Sequence, residues 1–94
     1  MSLTKHARAR VQQRGIAPFV LDLLVRYGTS ERADDGASLY HFDKQSRRRV
    51  EAYVGGLSRH LREDLDVYAI LSSDGQVITA GHRQRRVQRD RSPR

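Results

Sequence analysis

Residues 65–82, LDVYAILSSDGQVITAGH, decide the fold. Residues 65–72 (LDVYAILS) form the strongest strand pattern in the chain, rich in β-branched, aliphatic and aromatic side chains. Ser73, Asp74 and Gly75 follow as a turn, and residues 76–82 (QVITAGH) read as the returning strand of a hairpin. Upstream, residues 37–42 (ASLYHF) alternate, with Ser38, Tyr40 and Phe42 on one side and Leu39 and His41 on the other. Residues 29–33 are a weaker strand, and Asp34, Asp35 and Gly36 give the turn between the two. The expectation is an antiparallel sheet of about four strands.

Two helices precede it. Thr4 is an N-cap and Gly15 a C′ residue, so residues 5–14 make a short helix. Pro18 sits in the first turn of a second helix, whose apolar stripe is Phe19, Val20, Leu23, Leu24 and Tyr27, and Gly28 closes it. Asp43 can cap a third helix over 44–62 with Val50, Tyr53, Val54, Leu57 and Leu61 on one face. Gly55 and Gly56 interrupt that stretch at a cost of about 1 kcal/mol each, which leaves open one kinked helix, two shorter pieces, or extended structure through 47–54. The fold class is therefore α+β, with helices on one face of the sheet. Residues 1–83 form a single domain, and the Arg-rich run 84–94 is expected to be a disordered basic tail.

The chain has 94 residues, 37% apolar and 31% charged, which allows one small core. It has no Cys, which excludes a disulfide scaffold, and no His pair has the i, i+4 spacing of a helical metal site. No stretch reaches the roughly 20 apolar residues of a membrane span, and the opening residues carry no apolar signal segment. A cytoplasmic protein with no metal, no cofactor and no membrane partner is expected.

The net charge of +7 is unevenly placed. Residues 83–94 hold six Arg and one Asp, residues 4–14 hold Lys5, Arg8, Arg10 and Arg14 with no acid, and the segment between is slightly acidic. If the fold joins the two basic blocks, they make one field suited to phosphate. In the first helix His6, Arg10 and Arg14 form a row at i, i+4, i+8 that drifts by about 80°. Leu3, Ala7 and Val11 form a buried row about 60° further round, so the His–Arg–Arg row is the shoulder of the buried stripe, whereas Lys5, Arg8 and Gln12 point to solvent. Two guanidiniums that fork onto phosphate oxygens beside an imidazole suit phosphate chemistry. The structural alternative is that Arg10 and Arg14 pair with acids such as Asp22 or Asp43 while His6 bonds a carbonyl. His82 and Arg83, at the end of the last strand, become further candidates where that end lies near the first helix. His41, between Tyr40 and Phe42, reads as a satisfied, half-buried histidine. The aromatics read as core, with no stacking platform for single strands.

The stretch His6-Ala7-Arg8-Ala9-Arg10-Val11-Gln12-Gln13-Arg14-Gly15-Ile16 resembles the H-x-x-x-R-x-x-x-R-G-I opening of a family of small bacterial proteins of unknown function. That family is itself similar to toxins of the RelE, ParE and BrnT type. Gly75-Gln76-Val77-Ile78-Thr79 matches the family's G-x-V-I-T closing strand. The resemblance covers roughly residues 4–28 and 74–83 and leaves 44–62 as a candidate insertion. It implies a RelE-like fold of two N-terminal helices packed on a four-stranded antiparallel sheet. It also implies a protein that engages RNA or the ribosome, with an acidic antitoxin as a further partner. As a metal-independent ribonuclease, the protein would use His6 for proton transfer and Arg10 and Arg14 on the phosphate. His82 and Arg83 would be the second acid or a clamp, and Thr79 would orient one of them by hydrogen bond. Lys5, Arg8, Arg83, Arg85 and Arg86 would hold the nucleic acid. Whether the chain cleaves, only binds RNA or the ribosome, or docks a protein stays open at this point.

Overall fold

A computed structural model describes residues 2–56 and 59–83. Four antiparallel strands lie in sequence order: β1 (Thr29–Arg32), β2 (Ser38–His41), β3 (Val67–Leu71) and β4 (Val77–His82). Two helices come first, α1 (Lys5–Arg14) and α2 (Pro18–Tyr27), and two more, α3 (Lys44–Val54) and α4 (Arg59–Asp64), stand between β2 and β3. The protein is thus an α+β domain with its N-terminal helices packed on a four-stranded antiparallel sheet.

Cross-strand partners share a face, so register fixes which side chains face the helices. Val67 pairs with His82, Ala69 with Ala80 and Leu71 with Val77; Tyr68 pairs with Gly81 and Ile70 with Thr79. Val67, Ala69, Leu71, Val77 and Ala80 belong to the buried core with Val20, Leu21, Leu23, Leu24 and Val50. The helices therefore cover the first set, and the Tyr68–Ile70 set lies on the opposite face. A bulge at Ile78 shifts the register between Ile70 and Leu71.

The α2 stripe differs from the expected one. Leu21 is buried and Phe19 is 54% exposed. Packed between sheet and α3, α2 buries an arc centred near Val20 and Leu24, and Phe19 lies about 120° from that centre. The segment 44–62 is helical but broken. Gly55 at φ 83 ends α3 and gives its N–H to the Glu51 carbonyl, which excludes both a continuous helix and a strand through 47–54. Leu57 lies outside the described residues. No described helix is long and apolar enough to cross a membrane.

Asp43 caps α3 through a reciprocal box. Its carboxylate accepts the Ser46 backbone N–H at 2.8 Å and the Ser46 hydroxyl at 2.8 Å, while the Asp43 N–H donates to Ser46 Oγ at 2.8 Å. These bonds, the Ser46 backbone N–H first, and a further one from the Thr29 hydroxyl push the Asp43 carboxyl down to about 2. A depressed folded-state pKa adds stability above the unfolded value near 4, and that stability is lost as the pH falls toward 2. Asp43→Asn keeps a capping side chain without the charge. In urea titrations from pH 5 to pH 2, wild type is expected to be the more stable at pH 5, with the gap closing as pH falls. A gap independent of pH would show that the carboxylate's charge contributes nothing.

Candidate functional site

The chain's first residues are built into the far edge of the sheet. Leu3 pairs in parallel with Val77; the Val77 N–H donates to the Ser2 carbonyl at 2.8 Å, and the Thr4 N–H to the Val77 carbonyl at 3.0 Å. The Thr4 hydroxyl oxygen then accepts the Ala7 N–H at 3.0 Å and donates to the Ile78 carbonyl at 3.2 Å, so one side chain both caps α1 and ties it to β4. From there α1 runs along β4, burying Ala7 and Val11. Gly15, at φ 66, closes the helix in the left-handed region. At this end His82 Nε2 lies 2.8 Å from the Arg14 carbonyl, a contact in which the ring must carry the proton on Nε2 and donate it. The two ends of the domain, 68 positions apart, thus meet along one edge.

His6 and Arg14 are exposed and Arg10 is half-buried, as a shoulder row should be. Arg10 Nε donates to His6 Nε2 at 3.5 Å, the long limit of a hydrogen bond. The acids proposed as structural partners are engaged elsewhere: Asp22 faces Arg26 at 4.0 Å on α2, and Asp43 caps α3. Among the described residues, no ion pair involves Arg10, Arg14 or Arg83. Arg83 is half-buried, and its backbone N–H donates to the Asp66 carbonyl at 2.8 Å, which holds it just past His82.

Other expected members stand apart. Eight helical positions separate His6 from Arg14, roughly 12 Å of rise, so His6 and His82 are at opposite ends of α1. Lys5 and Arg8 are exposed on the side of α1 at least about 120° from the Arg10–Arg14 row. Thr79 pairs with Ile70 and so lies on the face of the sheet away from α1 and His82. Arg85 and Arg86, with the rest of the tail, lie outside the described residues. The cavity beside His82, walled by Ile16, Val20, Asp64 and Val67, has a volume of about 40 Å³, room for little more than a water molecule.

Comparisons with protein-family models, with curated proteins and with solved structures return no match. The site must be read from its own residues.

Two further polar constellations were missed in the sequence. Arg47 on α3 forms an ion pair with Asp66 and donates to the Arg62 carbonyl at 3.2 Å and the Leu65 carbonyl at 3.3 Å. It pins α3 to the α4–β3 junction and floors a cleft of about 420 Å³ that mixes Lys44 and Arg48 with Glu51 and Glu63. On the sheet's open face His41, 9% exposed, bonds Glu31 Oε2 through Nε2 at 2.7 Å. The satisfied His41 was legible in its position between two aromatics, but its partner on the next strand was not.

Proposed function

We propose that this domain holds the phosphate backbone of RNA along the edge where α1 meets β4, using Arg10, Arg14 and Arg83. The observation that carries the reading is the meeting of the C-terminal end of α1 with the end of β4, where His82 bonds the Arg14 carbonyl, so that Arg10, Arg14 and Arg83 share one edge, with no ion pair to any of them among the described residues. Guanidiniums without an acidic partner along one edge keep N–H donors for phosphate oxygens. The choice of RNA, with the cytoplasm as the compartment, rests on the resemblance to RelE-like proteins.

The geometry favours binding over cleavage. Attack by a 2′-hydroxyl needs a base and an acid on either side of one phosphorus. His6 and His82 stand about 12 Å apart along α1, and His82 donates its Nε2 proton to a helix carbonyl.

Each phosphate contact to a single strand contributes about −0.7 to the slope of log affinity against log salt. Three contacts give a slope of about −2, and the tail can only steepen it. Anisotropy titrations of a labelled single-stranded RNA between 0.05 and 0.5 M salt check this, with a duplex DNA arm for comparison. A flat response would sink the proposal. Incubating the same RNA with protein in EDTA is expected to leave it intact. Discrete cut sites that vanish in His6→Ala or His82→Ala would replace binding with cleavage.

A further inference from the structure

The face of the sheet away from the helices carries its own constellation. Register places Thr29, His41, Tyr68 and Gly81 in one row across the four strands, with Glu31, Leu39, Ile70 and Thr79 in the next. The sheet's core side chains on β3 and β4 all point the other way, and Tyr68, Ile70 and Leu39 are only half-buried.

Tyr68 is held in an unusual attitude. A Cβ added at Gly81 would lie 2.9 Å from its Cε1, 3.0 Å from its hydroxyl oxygen and 3.1 Å from its Cζ. Cε1, Cζ and the hydroxyl oxygen lie along one edge of the side chain, so the hydroxyl end of Tyr68 leans across β4 at the glycine. Tyr68 thus leans over β4 and stays only half-buried. A side chain at Gly81 would push the Tyr68 ring aside.

The surroundings are electrically polarised. Toward β2 and β1 lies the Glu31 carboxylate, 60% exposed, with His41 on it at 2.7 Å. Toward β4's outer edge lie Arg83, just past the end of the strand, and beyond it the Arg10–Arg14 row of α1. A strand of nucleic acid crossing this face is repelled on the Glu31 side and attracted on the β4 side. That orientation puts phosphates at the arginine edge and a base against the exposed part of the Tyr68 ring.

We infer that Tyr68 is a base-stacking platform for single-stranded RNA, with Thr79 beside it on the same face. This rests on the RNA reading above and adds a site on the sheet that the α1 row does not contain. Stacking on an aromatic ring tolerates any base and depends on the base being present, whereas phosphate contacts do not.

The test compares a short single-stranded RNA with the same strand in which consecutive bases are replaced by abasic sites, leaving the phosphate count unchanged. Wild type is expected to prefer the base-bearing strand by about 5- to 150-fold per stacked base. Tyr68→Phe should retain that preference. Tyr68→Ala should abolish it while leaving the salt slope unchanged, with circular dichroism confirming that the variant folds. A measurement that needs no variant is the Tyr68 ring-proton resonance, expected to move upfield when RNA is added to wild type. Equal affinity for the two strands with a stationary Tyr68 resonance would overturn the stacking site. If the salt slope persisted in that case, the backbone reading would stand without it; loss of salt-dependent binding altogether would remove both.

Discussion

Gly28→Ala is expected to destabilise the domain by about 2–3 kcal/mol, near the upper end of what overpacking one methyl group costs. The reason is space. Gly28 has φ −67, an ordinary value for any residue. Yet a Cβ placed there would lie 2.5 Å from the Leu24 carbonyl oxygen, 2.8 Å from Leu24 Cδ1 and 3.1 Å from the His41 carbonyl oxygen. Two of these three neighbours are backbone and cannot swing aside. Leu24 is fully buried, so its side chain has nowhere to go. Relief requires the last turn of α2 to move off β2, which loosens the contact that seats the helix layer on the sheet. Against a typical total of about 5–15 kcal/mol this is a large fraction, and it should lower the melting temperature by about 10–20 °C. Urea midpoints give the measurement. Gly15→Ala is the informative contrast: nothing lies within 4 Å of an added Cβ there, but φ is 66, so any loss comes from the left-handed backbone, about 1–2 kcal/mol. A Gly28→Ala variant as stable as wild type would show that α2 and β2 are not packed as closely as this.

The parts of the fold that sequence could reveal are those set by local chemistry. Thr4, Gly15 and Asp43 mark helix ends through their own backbone or side-chain bonds and Pro18 through its fixed φ, and each acts where its residue type suggests. The β3–β4 hairpin is local too, with Gly75 in its turn at φ 87. What remained hidden depends on partners distant in sequence. The buried arc of α2 includes Leu21 and excludes Phe19 because α3 and the sheet together set the arc's centre. The pairing of residues 2–4 with Val77 has no local signature. β3 carries Val67, Ala69 and Leu71 on one face and Tyr68 and Ile70 on the other, so alternation reveals two faces without a polar one to mark which is open. That is why Tyr68 reads as core in the sequence. The candidate site was legible to the same depth. The helical row of His6, Arg10 and Arg14 follows from period alone, and the meeting of Arg14 with His82 required the fold. The separation of His6 from His82, and of Thr79 from both, follows from α1 running parallel to β4 and from the register of β4 with β3.

Exchanging Arg10, Arg14 and Arg83 together for glutamine is expected to flatten the salt slope of RNA binding by about 2 and to weaken binding roughly 100-fold at 0.1 M salt. Both numbers come from the same source. Three phosphate contacts at about 0.7 each make affinity scale with salt to the power of about −2, so their contribution is large at 0.1 M and vanishes toward 1 M. Wild type and variant should therefore converge as salt rises, a behaviour that misfolding would not imitate. Glutamine has a helix propensity close to that of arginine, and the loss of one cation from the last turn of α1 removes at most about 1 kcal/mol of dipole stabilisation. The decisive companion is Lys5→Gln with Arg8→Gln. It removes two charges from the same helix, on the side turned away from the row. A site built from the row predicts an unchanged slope in that pair. If removing Lys5 and Arg8 flattened the slope as much per charge as removing the row, the attraction would be that of a diffuse positive field, and the edge between α1 and β4 would have no special claim on phosphate.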